Sequence, residues 1–153
     1  MHRLPTFLAA LTLAASALGT PAMAEMITKT SPHSVSQTMD RLQAAVEGAG
    51  ATLFARVDHA AGAAGVDMDL RPTELMIFGN PKLGTPPMQT NQTAGLDLPL
   101  RVLAYQDAEG VVHVTYRDPA TLAADHGLPA DAPYLGMMTG ALDTLTSKAV
   151  AAE

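Results

Sequence analysis

The stretch Arg71–Asp107, RPTELMIFGNPKLGTPPMQTNQTAGLDLPLRVLAYQD, decides the fold class. Thr73–Phe78 is apolar on both faces apart from Glu74, the pattern of a strand covered above and below. Gly79-Asn80-Pro81 ends that strand, because glycine and proline punctuate regular structure. Lys82–Thr93 is polar and proline-containing, and a short helix is expected from about Pro86, since proline is tolerated in a first turn. Pro99–Gln106 is a second strand, with Leu100, Val102 and Ala104 on one face and Leu103 and Tyr105 on the other.

The same reading extends outward in both directions. Asp107-Ala108-Glu109-Gly110 has the composition of a hairpin turn. Val111–Arg117 returns as a strand with Val112, Val114 and Tyr116 inward and His113 outward and solvated. Asp118-Pro119 predicts the start of a short helix, with Asp118 capping and Pro119 in the first helical position. Leu135, Met138, Leu142, Leu145 and Ala149 recur at helical spacing, so a final helix begins near Tyr134. Upstream, Met26–Thr30 is a strand candidate, and Ser34 caps a helix whose inner stripe is Val35, Met39, Leu42 and Val46. Ala51–Val57 alternates Leu53, Ala55 and Val57 against Thr52, Phe54 and Arg56, a strand pattern. Ala60–Gly65 is either one turn of helix or a loop. Strands flanked by helices in this order predict an α+β class: a single domain, residues 25–153, whose mostly antiparallel sheet of about five strands carries helices packed on one face.

Residues 1–24 are expected to be a signal peptide. A basic start at His2-Arg3 precedes the apolar run Phe7–Leu18, and Ala22-Met23-Ala24 offers small residues at the positions a signal peptidase reads. The run is shorter than the ~20 apolar residues needed to span a bilayer. A periplasmic or secreted product follows as the expectation. The chain has no cysteine, which removes disulfides, thiol chemistry and Cys-ligated metals. Its net charge is −6 and its basic residues are scattered, so nothing follows a phosphate backbone or an anionic membrane surface. Phosphate-loop, dinucleotide, nucleophile-elbow and zinc-protease signatures are missing from the sequence, and no cofactor or metal is expected.

Five polar residues sit at the ends of the central strands and are the ligand-binding candidates: Asp58, His59, Arg71, Glu74 and Asn80. His59 is a titratable imidazole at a strand end, suited to acid/base work or ligand contact; closing the small-residue turn is its plainer use. Glu74 interrupts an apolar strand and needs a partner, with Arg71 the nearest in sequence; Arg71 is alternatively free to hold an anion. Asn80 is suited to bonding its own downstream backbone. Asp97 reads as a turn or cap residue, and His126 as a helix-end residue.

Four phrases in order, FARVDHAAGA (54–63), RPTEL (71–75), FGNPK (78–82) and LDLPL (96–100), resemble the bacterial domain-of-unknown-function family 302. The resemblance covers about Ser34–Gly127 and implies a compact α+β domain that tends to form homodimers. It implies no established substrate, cofactor or reaction. The functional expectation is therefore a dimeric, non-enzymatic module binding a small ligand where the strand ends meet Lys82–Thr93. The alternative is a small enzyme with His59 as acid/base, Glu74 or Asp58 as second carboxylate and Arg71 holding an anionic substrate.

Overall fold

The computed structural model describes residues 25–152, and the expected leader lies outside them. The elements run β1 (Met26–Ser31), α1 (Val35–Gly48), β2 (Thr52–Asp58), α2 (His59–Ala64), β3 (Thr73–Gly79) and α3 (Pro81–Thr90). A 3-10 turn (Gln92–Leu96) follows, then β4 (Leu100–Gln106), β5 (Val112–Arg117), α4 (Thr121–His126) and α5 (Pro133–Val150). All four strand pairings are antiparallel, in the order β1-β5-β4-β3-β2. The first two strands thus occupy opposite edges, and α1 carries the chain across the three strands between them.

Helices α1 and α5 form where the apolar spacing places them. Ser34 Oγ accepts from the Gln37 N–H and the Gln37 side chain accepts from the Ser34 N–H, a reciprocal cap that satisfies two donors at the start of α1. Val35, Met39, Leu42 and Val46 are buried along one side of α1, and Leu142, Leu145 and Ala149 along one side of α5. Both stripes close on Met76, Phe78, Val102, Ala104 and Val114 of the sheet. A second apolar cluster lies past the sheet end, where Ala94, Leu98, Leu122, Leu135 and Met138 meet.

The structure departs from the sequence expectations at five places. First, β3 is not covered on both faces: Glu74, Met76 and Phe78 are buried, while Leu75 and Ile77 remain partly exposed, because α1 and α5 lie on one side. Second, β2 does not alternate regularly. Leu53 pairs with Phe78 and Ala55 with Ile77, so Phe54 is an extra, bulged residue, and Arg56 shares the helix-covered face with Met76. Third, α3 begins at Pro81 and not near Pro86, because Asn80 Oδ1 accepts the Lys82 N–H and Pro81 takes the first helical position; Pro86 and Pro87 lie inside it. Fourth, Asp118 does not cap α4. Its carboxylate accepts the Ala120 N–H of the preceding turn, and α4 starts at Thr121. Fifth, His113 is not simply solvated: its ring lies 5.2 Å from that of Tyr105 and its Nε2 is 2.6 Å from Asp107 Oδ2. The open alternative at Ala60–Gly65 resolves as helix, with Asp58 Oδ1 accepting the Ala61 N–H at 2.8 Å.

Two predictions follow from the packing. Leu42 is fully buried, so Leu42→Ala should cost about 2–5 kcal/mol of unfolding free energy, read from urea denaturation. In the β4–β5 hairpin, the hydrogen bond with His113 and then the Val111 N–H hold the Asp107 carboxyl below the usual carboxylate range. A depressed folded value contributes stability above the ordinary carboxylate pKa of ~3.9, and that contribution is lost as pH falls further through the folded value. Urea midpoints measured from pH 6 down to pH 3 should therefore decline, and Asp107→Asn should flatten that decline.

Candidate functional site

An apolar concavity lies where β3 gives way to α3. Gly79 ends the strand without a side chain; a Cβ there would stand 3.4 Å from Pro99 Cβ and 3.8 Å from Phe54 Cε2. Bare backbone at this point leaves Phe54 and Pro99 as flanks of an opening. Asn80 then turns the chain into α3, which contributes Leu83 and Met88, while Leu98 comes from the approach to β4, Leu100 from its first position and Met138 from α5. The cleft has a volume of about 290 Å³. Asn80 and Thr85 supply the only polar side chains among its lining residues, and none is charged. Such a surface suits the apolar body of a small molecule with one or two hydrogen bonds to orient it.

Only one of the five candidates reaches this cleft. Asn80 lines it. The other four lie toward the opposite end of the strands: Asp58 pairs with Glu74 at one end of the β2–β3 ladder and Thr52 with Gly79 at the other. Five residue steps from Glu74 to Gly79 along β3 correspond to about 17 Å. Asp58 caps α2, and His59 opens that helix on the exposed surface. Arg71 is exposed and donates from Nε to the Gln106 carbonyl at 3.1 Å. Glu74 is buried, but its partner is not Arg71. Arg56 Nε donates to Glu74 Oε2 at 2.7 Å, and the same guanidinium reaches Asp40 Oδ1 at 2.6 Å and the Ser36 carbonyl at 3.2 Å. The bulge at Phe54 is the reason, since it turns Arg56 to the side on which Glu74 lies. The cleft and two further hollows, near Asp97 and near Asp131, are lined by none of Asp58, His59, Arg71 and Glu74. Glu74 is thus a structural carboxylate paired with Arg56, and it pairs across the ladder with Asp58 at the strand end away from the cleft.

A second polar cluster joins residues that the sequence leaves apart. His126 is buried, with Nε2 2.7 Å from Asp97 Oδ2 and Nδ1 3.0 Å from Thr93 Oγ1. Asp97 also accepts from Arg117 Nη1 at 3.2 Å, and Asn91 Nδ2 donates to the His126 carbonyl at 2.8 Å. A hydroxyl, imidazole and carboxylate in this order can activate a nucleophile. Here Thr93 Oγ1 is also bonded to Asn91 Oδ1 at 2.9 Å, and neither the cleft nor the two hollows includes Thr93. The cluster ties the 3-10 turn to the end of α4. Its members are up to 35 residues apart, beyond the reach of local pattern.

Three of the phrases that carry the family resemblance meet at the cleft, through Phe54, through Gly79-Asn80-Pro81 and through Leu98-Pro99-Leu100. The chain is 48% identical over 117 residues to a Brucella suis biovar 1 protein named fluoride-specific ion channel FluC 1, a match spanning 75% of this chain and 46% of that protein. The same identity and length hold for a Brucella melitensis biotype 1 protein named fluoride-specific ion channel FluC 2, of which 43% is spanned. The chain therefore covers less than half the length of the curated relatives it matches. In architecture it is similar to the crystal structure of an uncharacterized conserved DUF302 protein from Bacillus stearothermophilus, with a TM-score of 0.64 at 16% identity, covering 82% of this chain and 94% of that one. Residues 27–145 match the family described as domain of unknown function DUF302, and the chain belongs to that family.

Proposed function

We propose that the protein is an exported, homodimeric binding module that holds a small ligand in the cleft at the end of β3. The observation that carries this reading is the cleft itself: about 290 Å³ of apolar space, with Asn80 and Thr85 as its polar side chains. Export is supported by the N-terminal pattern of a basic start, an apolar run and small residues before Glu25. Dimerisation is supported by the sheet face that α1 and α5 leave open. Val57, Leu75, Ile77, Leu103 and Tyr105 are partly or largely exposed there, and an apolar sheet face of this kind is stabilised by contact with a second copy.

Ion conduction, named for the Brucella relatives, is not extended to this chain. Less than half of those proteins is matched, and among the described residues no helix is long and apolar enough to cross a membrane. Acid/base chemistry at His59 lacks support as well, because His59 is exposed and Glu74 is held by Arg56.

A thermal-shift screen of the purified protein against a broad set of metabolites, apolar compounds included, should return ligands that raise Tm, and Gly79→Leu should abolish those shifts by filling the cleft. A screen without a single stabilising ligand contradicts the binding reading. For the dimer, sedimentation velocity should give twice the monomer mass, and Ile77→Lys on the open face should weaken association at least tenfold while leaving the circular dichroism spectrum unchanged. A wild-type chain that sediments as a monomer at every concentration contradicts it.

A further inference from the structure

We infer that the cleft selects an uncharged amphiphile of roughly ten to twelve heavy atoms, such as a medium-chain alcohol, ester or amide. This inference rests on the cleft being a ligand site, and it adds the ligand's chemical class.

Size comes from the volume. A cavity of about 150 Å³ accommodates benzene, so one near 290 Å³ has space for about twice as many heavy atoms. The walls include Met88 and Met138, whose unbranched thioether side chains adapt to the contour of an aliphatic body.

Neutrality comes from the absence of any charge-compensating group in the lining. An ionised carboxylate or amine would lose its hydration there without a counter-ion, at a cost of several kcal/mol. The nearest cation in sequence, Lys82, is exposed and does not line the cleft. The start of α3 offers no anion site either. Pro81 has no N–H, the Lys82 N–H is bonded to Asn80 Oδ1, and the Leu83 and Gly84 N–H groups are bonded to the Asn80 carbonyl at 2.9 Å. For a ligand's polar end there remain the Asn80 amide nitrogen, a donor, and the Thr85 hydroxyl, which both donates and accepts. That pair matches a hydroxyl or a neutral carbonyl.

Gly79 sets the length limit. Its backbone is not in the left-handed region, so a side chain is allowed. The first carbon of that side chain would stand at van der Waals distance from Pro99 and Phe54, which line the cleft with Gly79, so a larger side chain takes up part of the cleft.

The test is a titration of the purified protein, followed by amide chemical shifts, with the straight-chain alcohols from 1-pentanol to 1-nonanol and with octanoate and octylamine. Affinity for the alcohols should rise about three- to fourfold per methylene until the cleft is full. The shifts should centre on Phe54, Gly79, Asn80, Met88 and Leu100, and 1-octanol should bind at least tenfold tighter than either charged analogue. Gly79→Val should weaken 1-nonanol more than 1-pentanol. Thr85→Val, at an exposed position that leaves the fold intact, should weaken 1-octanol about fivefold, the effect of one hydrogen bond. Equal or tighter binding of octanoate or octylamine within the same residues overturns neutrality while leaving the cleft as a ligand site. No response to any alcohol overturns the ligand class, and the broad thermal screen then decides separately whether the cleft binds anything. Saturable shifts confined to the open sheet face overturn both.

Discussion

A single extra residue in β2 reverses the faces of everything that follows it. Before the bulge, Leu53 stands opposite Phe78 and packs against the core; after it, Arg56 stands opposite Met76 on the same helix-covered side. Regular alternation would have sent Arg56 to the open face and left Glu74 buried without a cation. A carboxylate in that position costs several kcal/mol unless it is paired, and the guanidinium of Arg56 meets the need while binding Asp40 and Ser36 of α1. One local irregularity thus neutralises the inner carboxylate of β3 and fastens α1 to the sheet. The residue that causes it, Phe54, is left more than half exposed at the edge of the cleft, 55% of its surface free.

The cleft has a second origin in the way two apolar clusters meet. α1 and α5 close over the sheet, whereas α3, the 3-10 turn and α4 gather around the first turns of α5 beyond the strand ends. Leu100 packs against both clusters, at their seam. The seam is not filled at Gly79, where a side chain is missing between Phe54 and Pro99. Its walls are apolar because they are made of residues that belong to a core, and its rim is polar only where Asn80 turns the chain and Thr85 faces outward. The proposed binding rests on this incompletely closed interior.

Much of this was legible in the sequence. The stripes Val35-Met39-Leu42-Val46 and Leu135-Met138-Leu142-Leu145-Ala149 read as helix faces, and all nine residues are buried. The hairpin at Asp107–Gly110 and the sharp end of β3 at Asn80 read correctly, because glycine, proline and Asx residues act through local backbone chemistry. The bulge did not, since Thr52–Asp58 alternates well enough for a regular strand and only pairing with β3 exposes the extra residue. The partner of Glu74 is hidden by that bulge, and the partner of His126 by distance along the chain. Sequence neighbourhood points Glu74 to Arg71, whereas its partner Arg56 sits 18 residues away, and Asp97 and His126 form their bond across 29 residues. Asn80 lines the cleft together with Leu83, Thr85 and Met88 of the segment after it, whereas Asp58 lies at the other end of the β2–β3 ladder with His59 next to it. Phe54, Gly79 and Met138 carried no signal as a group because three separate elements bring them together.

The register of β2 against β3 is the claim on which the inner ion pair and the wall of the cleft both rest. Nuclear Overhauser contacts across these strands, measured on the isotope-labelled protein, address it directly. The account predicts Leu53 opposite Phe78, Ala55 opposite Ile77 and Arg56 opposite Met76, with Phe54 lacking a cross-strand partner of its own. Contacts that set Phe54 opposite Ile77 and continue in strict alternation, with the Arg56 side chain on the open face, would contradict it.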